Sequence, residues 1–113
     1  MQGKKIISRE TADHFASLLR QALEERYEGK FVFDPIEVES AIDNYGDAYL
    51  DTYIVFDGDQ KNLDPRWTAH LGIRMWEELE RMGIFNSPVF HYVVKNEWEE
   101  VFHGKHPKAY GPK

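Results

Sequence analysis

The stretch IEVESAIDNYGDAYLDTYIVF, residues 36–56, sets two runs of alternating apolar and polar residues on either side of Asn44, Tyr45, Gly46 and Asp47. A period of two marks a half-buried strand, and Asn, Gly and Asp between two such runs supply the turn of a β-hairpin. Centred on Gly46, the register opposes Ile42 to Leu50, Ser40 to Thr52, Val38 to Ile54 and Ile36 to Phe56. One face is then apolar apart from a hydroxyl pair. The other carries Asp43 beside Tyr49, Ala41 beside Asp51, Glu39 beside Tyr53 and Glu37 beside Val55. A one-residue slip would bury Glu37, Glu39 and Asp51, and unpaired buried carboxylates are costly. The hairpin is therefore expected to be one-sided, with carboxylates and phenols turned to solvent.

Working outward, Ala12, Phe15, Leu18, Leu19, Ala22, Leu23 and Tyr27 recur at intervals suited to one stripe of an amphipathic helix. Ser8 stands where an N-cap belongs and Gly29 where a left-handed C-terminal residue does. On the other side of the hairpin, Asp64-Pro65 reads as an N-cap followed by Pro at the first helical position. Trp67, Leu71, Met75, Leu79 and Met82 form the stripe of this second helix, which Ile73 and Trp76 widen and Gly83-Ile84 ends. Gly72 inside it costs about 1 kcal/mol relative to Ala, which a kink or a close packing contact would explain. Val89–Val94 is dense in β-branched and aromatic residues and reads as a strand, and Asn96 starts a short helical turn through Phe102. The order helix, strand, strand, helix, strand, short helix implies an α+β two-layer sandwich: an antiparallel hairpin plus a third strand, with both long helices on one face. A crossover that brings the third strand beside the first gives sheet order 2-1-3.

With 113 residues, 42% of them hydrophobic, the chain can close about one core, so residues 1–102 are expected to form a single α+β domain. Residues 103–113 hold Gly, Pro, Lys and His with one Ala and one Tyr and are expected to be a flexible basic tail. The absence of cysteine excludes disulfides, thiolate nucleophiles and Cys-ligated metal sites. No apolar run approaches the roughly 18–20 residues of a membrane span, so no membrane partner is expected and the expected location is cytoplasmic.

The formal charge of -6 disfavours nucleic acid as a partner, and it is unevenly spread: residues 31–64 carry one basic and nine acidic groups. Glu37, Glu39, Asp43 and Asp51, interleaved with Tyr49 and Tyr53, therefore make a candidate binding face for a protein partner or for self-association. The plainer account is that an open antiparallel face has to be polar.

Asp57–Asp64 resembles a calcium loop only in part, because Lys61, Asn62 and Thr68 stand where an oxygen ligand, a Gly and a bidentate Glu belong. The histidines, His14, His70, His91, His103 and His106, show no metal-ligand spacing. No metal and no cofactor is expected, since P-loop, dinucleotide and nucleophile-elbow motifs are also missing. A small enzyme remains an alternative if His70 or His91 meets Asp51 or Asp57 in a cleft.

The element order over residues 8–95, with a glycine inside the second helix at Gly72, is similar to that of type II KH-like domains, including ribosome-binding factor A. The resemblance implies an RNA- or ribosome-associated domain. The chain departs from it in having no Gly-x-x-Gly loop around Ala69-His70-Leu71-Gly72.

Overall fold

Ser8 accepts the Thr11 amide at 3.1 Å and so caps α1, Arg9–Tyr27, in the computed structural model, which describes residues 6–101. The expected tail, residues 103–113, lies outside the described residues. At the far end of α1 both Glu28 (φ 47°) and Gly29 (φ 83°) are left-handed, and Lys30 donates its amide to the Tyr27 carbonyl. Ala12, Phe15, Leu19, Leu23 and Tyr27 are buried, five of the seven residues of the expected stripe, with Leu18 and Ala22 partly buried beside them.

β1 (Val32–Ile42) and β2 (Ala48–Asp57) form the antiparallel hairpin, but two residues out of the expected register. Ser40 faces Leu50, Val38 faces Thr52, Glu39 faces Asp51 and Ala41 faces Tyr49. The cause is the turn. Gly46 donates to the Asp43 carbonyl at 3.1 Å, the Asp43 amide reaches the Asp47 carbonyl at 2.9 Å, and Gly46 has φ 87°. Gly46 thus follows the turn as its left-handed residue, and the hairpin is centred on Tyr45. A two-residue shift preserves which side chains share a face, so the apolar face remains apolar. The expected Ser40–Thr52 pair does not form, however. Ser40 Oγ accepts the Ile7 amide at 3.0 Å, and Thr52 Oγ1, fully buried, has no hydrogen-bond partner among the described residues.

A 3₁₀ turn, Gln60–Asn62, leads to Asp64, whose carboxylate caps the second helical run by accepting the Arg66 and Trp67 amides. That run is three short helices rather than one: α2 (Pro65–Ala69), α3 (Leu71–Arg74) and α4 (Trp76–Arg81). The joints are His70 and Met75, both near φ -95° and ψ 5° in round terms (His70 -98°, 8°; Met75 -92°, 2°). At the first joint the Arg66 carbonyl meets both the His70 amide and, at 2.7 Å, its Nδ1. Leu71, Met75 and Leu79 are buried as expected, but Ile73 is 71% exposed and Trp76 38% exposed instead of widening the stripe. Residue 73 lies two positions from Leu71 and from Met75, on the far side of the turn. Gly72 does not owe its place to a tight contact, since a Cβ there would lie 3.6 Å from Phe90. After Gly83 (φ 80°), the Ile84 amide returns to the Leu79 carbonyl, the expected glycine termination.

β3 (Val89–Val94) pairs parallel to β2, and α5 (Lys95–Val101) follows it directly. The fold is α+β, with a three-stranded mixed sheet in the order β1-β2-β3 and five α-helices among the described residues. This corrects the expected order 2-1-3. Arg9 and Arg20 of α1 donate to the Val38 and Phe33 carbonyls of β1, Lys95 donates to Asp34, and a register irregularity interrupts the strand between Phe33 and Ile36. A strand so occupied along its flank offers no ladder to a third strand, whereas β2 does. The main core lies on one side of the sheet, where Phe15, Leu19 and Leu23 meet Val38, Leu50, Ile54, Phe56, Leu71 and Leu79. On the other side, Trp98 of α5 packs with Val55 and Val93, beside Tyr53. No helix among the described residues is long and apolar enough to cross a membrane.

Thr52→Val keeps the shape of the side chain and removes the orphaned hydroxyl, so it should stabilise the fold by about 1 kcal/mol. Urea denaturation measures this, and a midpoint lowered by the substitution would show that the hydroxyl has a partner.

Candidate functional site

The side of the sheet away from the main core is built from alternate positions: Glu37, Glu39 and Ala41 of β1, Tyr49, Asp51, Tyr53 and Val55 of β2, and Val89, His91 and Val93 of β3. The strands run so that Glu39, Asp51 and Val89 form one row and Glu37, Tyr53 and His91 the next. α5 covers the Val55–Val93 end. Five of the six residues singled out from the sequence, Glu37, Glu39, Tyr49, Asp51 and Tyr53, lie on this face.

Asp51 is not solvent-facing as expected; it is 3% exposed. The expected order would have made β2 an edge strand. In the observed order β2 is central, and Asp51 is hemmed in by neighbours on both flanking strands. One of them, His91, crosses diagonally to bring Nε2 within 2.9 Å of Asp51 Oδ1. A carboxylate can only accept, so Nε2 carries the hydrogen and donates it. The imidazole also stacks on Tyr53, with ring centres 4.2 Å apart and planes 18° from parallel. Tyr53 in turn meets Trp98 at 6.1 Å. The face is thus a connected group of side chains, Asp51–His91–Tyr53–Trp98, bordered by the half-buried carboxylates of Glu37 and Glu39. The signal for His91 was present: it is the one ionisable group besides a tyrosine in the strand VFHYVV.

Asp43, the sixth candidate, belongs to the turn and not to the face. Its Oδ1 accepts the Tyr45 and Asp47 amides, each at 2.9 Å, and its Oδ2 accepts from Asn86 Nδ2 at 3.0 Å. The Asp47 amide first, then the Asn86 side chain, hold its carboxyl below the ordinary 3.8. Asp followed by Asn-x-Gly is the sequence signal of such a turn.

The remaining candidates do not converge. Asp57 is exposed at the end of β2, and His70 bonds to a carbonyl of its own helical run. In the would-be metal loop, Asp59 accepts the Lys61 amide, while Asp64 caps α2 and bridges Arg26 at 3.0 Å. The Trp67 amide above all, then Arg26, hold the Asp64 carboxyl below its ordinary range. No group of three or more residues able to hold a metal ion occurs among the described residues. A cleft of about 1060 Å³ opens at the hairpin tip, between Ile6, Ile7, Tyr45, Ile84 and Phe85, away from the Asp51–His91 pair.

Comparison with protein-family models, with curated proteins and with solved structures finds no match.

Two outcomes follow from this geometry. His91→Phe retains a ring against Tyr53 but loses a hydrogen bond to a buried carboxylate, and should cost about 1.5–3 kcal/mol in urea denaturation; an unchanged midpoint would mean the bond contributes nothing. Asp43 and Asp64 both have lowered folded-state values, so the stability they supply is complete above about pH 4 and is lost as pH falls through those values. Asp43→Asn, which can still accept the turn amides, should make the fall in stability below about pH 4 shallower. A slope identical to that of the unaltered chain would contradict the assignment.

Proposed function

We propose that this chain, read as a two-layer sandwich with a partly open sheet face, is a non-catalytic binding module whose open face receives a cationic segment of a protein partner. The observation that carries the reading is compositional and spatial together. None of the three strands contains Lys or Arg, while Glu37, Glu39, Tyr49 and Tyr53 share one face around the buried Asp51. Carboxylates facing the same way raise the local concentration of a basic partner and speed its docking, and tyrosines provide contact area at small entropic cost. The Asp51–His91 pair supports the face as a brace: it holds two strands and one aromatic ring in place.

The alternatives have less behind them. An Asp–His general base is favoured by the 2.9 Å contact alone, and the pair lies on a sheet face rather than in the cleft at the hairpin tip. An RNA-associated role finds no cationic strand face to meet phosphate.

Titration with a fluorescent Lys/Arg-rich peptide tests the reading, with an acidic peptide of equal length as control. Binding should weaken with added salt, and the double substitution Glu37→Gln, Glu39→Gln should weaken it about tenfold. Equal affinity in the double variant, or binding indifferent to salt, would remove the face from the function.

A further inference from the structure

Charge divides this chain by segment. The sheet's outer face gathers Glu37 and Glu39 around the buried Asp51, and none of its three strands contributes Lys or Arg. Residues 102–113, FHGKHPKAYGPK, are the complement: Lys105, Lys108 and Lys113 with no Asp or Glu among them. α5 leads from the sheet to that segment across this same face. Trp98 packs on Val55 and Val93, its ring 6.1 Å from that of Tyr53, and Tyr53 stands opposite Glu37. The helix ends at Val101, so the basic segment starts within about one helical turn of the residue that touches the Glu37 row.

We infer that residues 102–113 are the face's own occupant: they fold back over it, with Lys105 and Lys108 against the carboxylates of Glu37 and Glu39, and hold it against other cationic segments. Reach and spacing permit this. At about 3.3 Å per extended residue, Lys105 and Lys108 reach about 13 and 23 Å from the end of α5, while Glu37 and Glu39 lie about 7 Å apart along one side of β1. The tether does the rest. Opposite charges joined by a short stretch of chain meet at an effective concentration of order millimolar, so a contact with a Kd of about 100 µM between separate pieces would be formed about nine-tenths of the time. Glu97, Glu99 and Glu100 of α5 are rival carboxylates, but they are exposed while Trp98 among them is buried, so their side of the helix is turned away from the sheet. The inference adds an intramolecular competitor to the function proposed above, and only the second of its two tests rests on that reading.

Carbodiimide crosslinking of the full chain at low micromolar concentration, read by mass spectrometry of the monomeric product, is the first test. Lys105 or Lys108 should be joined to Glu37 or Glu39, and the yield should fall in high salt. Absence of such links, or links of these lysines confined to Glu97, Glu99 and Glu100, overturns the inference. The second test is competition. Lys105→Gln with Lys108→Gln should bind the fluorescent Lys/Arg-rich peptide at least about threefold more tightly than Lys30→Gln with Lys61→Gln, which has the same net charge but loses two exposed lysines outside the face. Equal affinity of the two doubles overturns the inference. A peptide that binds neither double removes the function proposed above, and the crosslink then decides by itself whether the segment occupies the face.

Discussion

The β1–β2 part of the sheet's outer face is set by the closure of one turn. The Asp43 backbone exchanges hydrogen bonds with Gly46 and Asp47 while its side chain accepts two more amides of the same loop. That closure centres the hairpin on Tyr45, and the centre decides every cross-strand pair. It places Glu39 directly opposite Asp51 and Glu37 opposite Tyr53. Two like charges across a strand pair are unfavourable, and the register keeps them adjacent because turn geometry and the apolar face both demand it. Asn86, donating to Asp43, ties the same turn to the loop that leads into β3.

Those features that depend on a few adjacent residues were legible in the sequence. The Ser8 and Asp64 caps, the α1 stripe, the Gly83 termination and the assignment of Glu37, Glu39, Tyr49, Asp51 and Tyr53 to one face all follow from local chemistry or simple periodicity. Features that depend on distant chain were not. The outer edge of β1 is met by side chains of α1 that reach across to its Val38 and Phe33 carbonyls, and nothing within β1 or β3 announces them. The burial of Asp51 follows from the strand order, and its contact with His91 follows from a parallel register between segments 40 residues apart. Asp43 illustrates a different difficulty. Its position in the alternating pattern suggested the face, but a short carboxylate beside free turn amides satisfies them first.

The breaks in the second helical run also have a purpose in the packing. At His70 and Met75 the backbone leaves ideal helix, yet Leu71, Met75 and Leu79 still point into one core, and the Arg74, Met75 and Leu79 amides keep their partners four residues back. The run therefore bends over β3 without giving up its ladder. Tyr92, beneath it, sends its hydroxyl toward the Thr68 carbonyl at 3.4 Å, and burial pushes that phenol well above its ordinary range, so it stays neutral.

A buried Asp on the central strand is a poor choice for stability alone, since removing a carboxylate from water is costly even with a good partner. What it supplies is register. β3 carries a nearly featureless apolar sequence, and its pairing with β2 by side-chain size alone would tolerate slippage. A slip of one residue would turn His91 into the main core and Phe90 or Tyr92 out to the face, and would separate the imidazole from Asp51. The pair therefore penalises each wrong alignment twice, by an imidazole buried without Asp51 and by a buried carboxylate that loses the imidazole's hydrogen bond. The polar group that weakens the sheet locally is the one that makes its third strand specific.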